Sequence, residues 1–155
     1  MNDFAPCGTD SVDDVLRTDH ERLDGLLVRL EAALSTKSSG CAEVFREFER
    51  DLIHHMTWED ESLFPVLKAR ASDKERRSIE SLEIDHERLR DTLRSIDSAM
   101  AGGDLRTLRT LISWLITLLK GHNYDEEHGA YVDADRLLDR AERRRLIDLF
   151  AETQR

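Results

Sequence analysis

The chain has 155 residues, 39% of them hydrophobic, 36% charged and 6% aromatic, with seven glycines and two prolines. That is enough apolar matter for one domain around a single core, which excludes wholesale disorder, and so few helix breakers favour long helices over a sheet. A formal net charge of -10 repels nucleic-acid phosphates and anionic lipid, so neither nucleic acid nor membrane is expected as a partner.

The opening stretch MNDFAPCGTD lacks the basic start and apolar run of a signal peptide. It is read as a mobile N-terminal segment over 1–10. The first helical stripe follows, with Val12, Leu16, Leu23, Leu26, Leu27, Leu30 and Leu34 on one face. Ser11 is its expected N-cap, with Asp14 three residues on. After the break STKSSG, a second stripe carries Phe45, Phe48, Leu52, Met56, Leu63 and Leu67. Pro65 is expected to bend or loosen its last turns. The third stripe runs through Ile79, Leu82, Leu89, Leu93, Ile96 and Met100 to the stop GGD, and the fourth through Leu108, Leu111, Ile112, Leu115, Leu118 and Leu119. A polar-rich tail with Leu137, Leu138, Leu146, Ile147 and Phe150 reads as one or two shorter helices.

Short breaks between long amphipathic segments predict an all-α protein, an up-down-up-down four-helix bundle over 11–132, with a helical extension over 133–155. The longest strongly apolar run, LISWLITLL, is too short to cross a bilayer. The two cysteines, Cys7 and Cys41, lie outside any CxxC and make no disulfide framework. A free-standing cytoplasmic protein is the expectation.

The sequence repeats itself. DHERLD at 19–24 recurs as DHERLR at 85–90, and the pair His55/Glu59 recurs as His122/Glu126. The second half is therefore built on the plan of the first. His20 and His86 each fall between stripe leucines, His55 and His122 each follow a stripe leucine by one turn, and Glu59 and Glu126 sit one turn beyond those histidines. All six are predicted to point into the bundle. A buried carboxylate costs several kcal/mol unless it is paired or binds a metal. No Lys or Arg holds an equivalent inward position. Without a cation the two glutamates would repel, and one would be pushed toward protonation. A metal cluster removes the conflict: imidazole supplies nitrogen, carboxylate supplies oxygen, and the i,i+4 spacing stacks two ligands on one face. Carboxylates that can each span two ions point to a dinuclear centre. HxxxE alone is a weak signal; two of them, two further histidines and matching offsets together are a strong one.

The pattern H…HxxxE…H…HxxxE, with DHERL on the first and third helices and EDESLFP closing the second, resembles the hemerythrin-like family, the HHE cation-binding domain, over roughly residues 12 to 132. The resemblance implies a four-helix bundle around two non-haem iron ions, joined by the carboxylates and by an oxo or hydroxo bridge. His20 and His55 would bind one iron, His86 and His122 the other, and Glu59 and Glu126 would bridge them. Two departures stand out. Oxygen-carrying hemerythrins have a fifth histidine four residues after the one matching His86, where this chain has Arg90. Their last carboxylate follows HxxxxD, where this chain has HxxxE. In addition, LFP after Glu59 has only AYV as its counterpart after Glu126.

Four imidazoles, two bridging carboxylates and a solvent bridge fill about ten of about twelve octahedral positions, leaving about two exchangeable. Such a site suits reaction with, or binding of, a small oxidant or diatomic ligand: oxygen, peroxide or nitric oxide. Glu83 and Tyr124 are the side chains expected to fill the missing histidine's place, if any does. The alternative function is iron handling, as storage or donation to damaged metal centres. A metal-free interaction module is the third reading, and burial physics disfavours it. The ferritin-like carboxylate oxidases do not fit, since only EIDH, Glu83 to His86, matches their Glu-x-x-His.

Several neighbours carry simpler expectations. His54 and His128 lie off the inward face, Trp58 and Trp114 are packing residues, and Asp60, Glu61 and Glu127 are charges of a solvated face or site mouth. Asp24 could hydrogen-bond the free nitrogen of His20. The run Arg143–Arg145 reads as a solvated helix face.

Overall fold

The structure, a computed structural model, describes residues 8–154. Most of the N-terminal segment, with Cys7, lies outside the described residues. Among the described residues there is no strand. Helix α1 spans Val12–Ser35, α2 Cys41–Trp58, α3 Phe64–Lys68, α4 Asp73–Ala101, α5 Leu105–His128, α6 Ala130–Leu137 and α7 Arg140–Thr153. A π-helical turn, Glu59–Leu63, joins α2 to α3 without a break.

Helices α1, α4, α5 and α7 start where side chains can take up their orphan N–H groups, while α2 starts at Gly40 without a side-chain cap. Ser11 accepts from the Asp14 N–H at 3.0 Å, Asp104 from the Thr107 N–H at 3.0 Å, and Ser72 and Asp139 form capping boxes with Glu75 and Glu142. Asp14 does not close a box with Ser11; its carboxylate accepts from the Thr9 hydroxyl instead. The Ser11 hydroxyl donates to Asp135 at 2.5 Å and the Val12 N–H donates to the same carboxylate at 2.8 Å, which ties the start of α1 to α6.

Pro65 explains the π turn. It lacks an N–H, and its ring would clash with the carbonyl four residues back. The chain widens by one residue, so the Phe64 N–H reaches the Glu59 carbonyl. π turns of this kind recur at functional sites, and this one begins on Glu59. At the matching place in the second repeat the helix is interrupted instead. Gly129 (φ -133, ψ -91) separates α5 from α6, and a Cβ there would lie 2.8 Å from the Asp125 carbonyl oxygen.

Helix α1 packs on α2 and α4 on α5, while α1 also meets α5 and α2 meets α4, closing a ring of four. The apolar stripes fill its centre as two clusters. One holds Leu23, Leu30, Phe48, Leu52, Leu89, Leu93, Leu115 and Leu119 among others. The other holds Val12, Leu16, Leu63, Phe64, Leu82 and the buried faces of α6 and α7, including Leu146 and Phe150. On α1, His20 falls between Leu16 of one cluster and Leu23 of the other; on α4, His86 falls between Leu82 and Leu89. The polar residues thus form a layer between two apolar ones. No helix of the described residues is long and apolar enough to cross a membrane.

Candidate metal centre

The six side chains singled out by the stripes meet in that layer. His20 comes from α1, His55 from α2, Glu59 from the π turn, His86 from α4, and His122 and Glu126 from α5. None is more than 3% exposed, and Glu59, His86 and Glu126 are fully buried.

Their inward atoms sort into two halves. Glu59 turns Oε1 toward His55 Nε2 (3.2 Å) and Oε2 toward His86 Nε2 (3.3 Å). Glu126 turns Oε2 toward His20 Nε2 (3.2 Å) and Oε1 toward His122 Nε2 (2.9 Å). Each carboxylate therefore gives one oxygen to each pair of imidazoles. In the second half the His86 and His122 Nε2 atoms face each other at 3.1 Å. The oxygens pointing there, Glu59 Oε2 and Glu126 Oε1, are buried without a hydrogen-bond partner.

The outer ring nitrogens have carboxylates of their own. His20 Nδ1 lies 2.8 Å from Glu127, His55 Nδ1 2.7 Å from Asp19 and His86 Nδ1 2.7 Å from Asp60. His122 Nδ1 faces Asp85 at 3.8 Å, too far for a direct hydrogen bond. Each acid is held in turn by an arginine: Arg17 on Glu127, Arg22 on Asp19, Arg90 on Asp60 and Arg88 on Asp85. The repeat governs this layer too. The Asp preceding each α1 or α4 histidine serves the histidine of the next helix, and the acid following each inward glutamate serves the α1 or α4 histidine. An Nδ1–H that donates outward leaves an Nε2 lone pair aimed inward, the tautomer a metal requires.

In the metal-free molecule three of these rings hold protons instead. Burial pulls His55 down, but Glu59 and Asp19 outweigh it and push it up to about 10. Burial pulls His86 down as well, but Asp60, Glu126 and Glu59 outweigh it and push it up to about 11. His122 is pushed up to about 9, chiefly by Glu126 against burial. Burial and mutual repulsion act to raise Glu59 and Glu126, yet the imidazoles beside them hold both carboxyls below their ordinary range. This corrects the expectation that one glutamate would take up a proton. His55, His86 and His122 are each made more basic by a carboxylate on either side, so the protons go to them.

Other expectations also need correction. Glu83 forms an ion pair with Lys68 at 2.6 Å, and Tyr124 is 61% exposed and stacked on His128, so neither reaches the cluster. Arg90, in the place of the missing histidine, turns outward to Asp60 and Glu87. Asp60 and Glu127 are not merely solvated charges, since they orient His86 and His20, and Asp24 is exposed and plays no such part. Trp58 is buried against Phe150, but Trp114 is 55% exposed because Ile112 and Leu115 take the core face of α5. Arg143 is not part of a free face: it donates to the Asp10 and Leu138 carbonyls and fastens α7.

Tyr131, not singled out from the sequence, stands at the centre of the first half. Its hydroxyl is fully buried and lies 2.6 Å from Glu59 Oε1, 2.9 Å from Glu126 Oε2, 2.9 Å from His20 Nε2 and 3.2 Å from His55 Nε2. The one available signal was its register. Tyr131 follows Glu126 by the same interval at which Phe64 follows Glu59.

Converging nitrogen and oxygen donors, buried oxygens without a hydrogen-bond partner, and rings oriented from behind are what a divalent or trivalent cation needs. Two groups of side chains in the cluster, Glu59/His86/His122/Glu126 and His20/His55/Glu126, have donor atoms close enough to share an ion. The cluster is a metal-binding site. No curated protein and no solved structure matches the chain at a significant level. The family model described as the hemerythrin HHE cation binding domain matches residues 11–134. With four-fifths of its length accounted for by that model, this chain belongs to the hemerythrin HHE cation-binding family.

Proposed function

We propose that the chain is a non-haem di-iron protein that binds or reacts with a small oxidant or diatomic ligand: oxygen, peroxide or nitric oxide. The observation that carries this reading is the division of both glutamates. Each sends one oxygen to the His20/His55 half and one to the His86/His122 half. Two ions, each held by two imidazole nitrogens and two carboxylate oxygens, would use every inward atom of the six residues. Bound iron would supply redox and Lewis-acid chemistry.

The chain's own residues supply the rest. The outer acids hold the four rings at fixed angles, and the arginines hold the acids. Phe64 stacks on His86 at 5.5 Å and Phe150 stands edge-on to His55 at 6.0 Å, so apolar rings wall the layer against bulk water. A small ligand suits so closed a site better than the release of iron to an acceptor, which needs ligands within a partner's reach.

The test is metal quantitation with an optical spectrum of the isolated protein, before and after addition of oxygen, peroxide or nitric oxide. About two irons per chain and a spectral change with at least one ligand are expected. Iron that leaves readily for an acceptor, with no spectral response to any of the three, would favour metal handling instead.

A further inference from the structure

The two halves of the cluster are not equivalent. Around the first stands one more oxygen than the six predicted residues provide, the hydroxyl of Tyr131. Resting on the di-iron reading, we propose that Tyr131 is a fifth protein ligand, through its phenolate oxygen, to the ion held by His20, His55, Glu59 and Glu126.

The distances support this. Two atoms bound to one metal at about 2.1 Å and at right angles are about 3.0 Å apart. The hydroxyl oxygen lies 2.6, 2.9, 2.9 and 3.2 Å from the four donor atoms of that half. Hydrogen bonding alone cannot account for four such neighbours. A hydroxyl has one proton, yet two carboxylate oxygens lie 2.6 and 2.9 Å from it and both can only accept. Even where an imidazole donates to the hydroxyl, one carboxylate contact sets lone pair against lone pair. An ion among them turns every contact into a shared-ligand edge. Binding breaks the O–H bond and forms a metal–oxygen bond, the proton leaves to solvent, and no electron is transferred.

The ring is held for the purpose. Tyr131 is fully buried, with its ring centre 5.4 Å from that of His20. The break at Gly129, where a Cβ would meet the Asp125 carbonyl, redirects the chain just before it. The duplicated half provides the control. Phe64 occupies the corresponding position, stacks on His86 and brings no oxygen. The first ion therefore has five protein donor atoms and the second four. The exchangeable positions gather at the His86/His122 ion, beneath Phe64, and the incoming ligand binds there.

The experiment is resonance Raman and optical spectroscopy of the iron(III)-loaded protein, with metal content measured separately. The wild-type protein should show a phenolate-to-iron charge-transfer band in the visible and enhanced tyrosine ring modes that shift on labelling with ring-deuterated tyrosine. Y131F should abolish both while keeping bound iron. The chain has two tyrosines, so Y124F should retain both signals and, should Y131F fail to accumulate, assigns them by itself. Iron uptake without phenolate modes, or modes that survive in Y131F, overturns this inference alone. A chain that takes up no iron overturns the di-iron reading and this inference with it.

Discussion

Phe64 and Tyr131 hold the same place in the two halves of a duplicated bundle, and they differ by one oxygen. Each follows an inward glutamate at the same interval, and each lies against histidines of the other half: Phe64 on His86, Tyr131 on His20 and His55. The interruptions that bring them there differ, a π turn before Pro65 and a glycine break before Ala130. The same repeat thus gives one hydrophobic wall and one polar one, and so builds two unlike half-sites from near-identical sequence.

The outer acids should matter in proportion to their distance from the rings. Removing the partner of a ligating histidine costs about 10–100-fold in metal affinity. Asp19 lies 2.7 Å from His55 Nδ1, whereas Asp85 lies 3.8 Å from His122 Nδ1. Asp19→Asn should weaken metal retention by about that factor against a competing chelator, and Asp85→Asn by clearly less. Equal losses in the two variants would mean that these contacts do not set ligand strength.

The protons on the imidazoles predict how the metal-free protein responds to base. His55, His86 and His122 are raised from 6.5 to about 10, 11 and 9. A group whose value is raised by folding binds more protons in the native state across that interval. Its stabilisation is complete below 6.5 and is lost as the pH climbs through its folded value. The melting temperature of chelator-treated protein should therefore fall steadily between pH 6.5 and 11, by several degrees or more. The metal-loaded protein, whose ions stand where the protons did, should change far less. The lowered values of Glu59, Glu126 and Asp19 act in the acid range and leave this window alone. A melting temperature of the metal-free protein that rises with pH over the interval would contradict the assignment of protons.

The glutamates should be separable from the histidines by stoichiometry. Amidation of Glu126 removes a shared oxygen from both halves at once, because its two oxygens face different imidazole pairs. Glu126→Gln should bind about one iron or fewer per chain, against about two for the wild type. His20→Ala, which strips one half only, should keep the His86/His122 ion in larger part. Full loading of Glu126→Gln would show that the carboxylate does not bridge.

Much of this site was legible in the sequence because two independent constraints coincided on the same residues. HxxxE spacing puts His55 and Glu59, and His122 and Glu126, on one face, and the flanking leucines fix that face as the inner one. The outer acids escaped because helical phase sets Asp60 and Glu127 roughly 100° off the stripe, where an acid is usually solvated. Asp19 carries the same phase relation to His20, yet it is only 5% exposed because it crosses to His55. Tyr131 escaped for a different reason. Phase arguments end where the helix ends, and Gly129 resets the phase between Glu126 and Tyr131. The expectation that Trp114 packs failed within a helix: it is 55% exposed, since Ile112 and Leu115 already fill the inward positions.

Gly129 itself supplies the last prediction. The demand for glycine there is one of space. An added Cβ would sit 2.8 Å from the Asp125 carbonyl oxygen, and that atom is backbone and cannot rotate away. The chain must yield at the junction of α5 and α6, which overpacking data put at about 1–3 kcal/mol. The movement is transmitted unequally. Residues up to Glu126 are held by α5 and by their packing on α4. Tyr131 lies just beyond the junction, on a short helix anchored to α1 through Asp135. Gly129→Ala should therefore lower stability to denaturant by that amount and weaken the tyrosine ring modes of the iron-loaded protein, while keeping most of the bound iron. Unchanged stability together with unchanged ring modes would show that the junction accommodates a methyl group and that Gly129 does not position Tyr131.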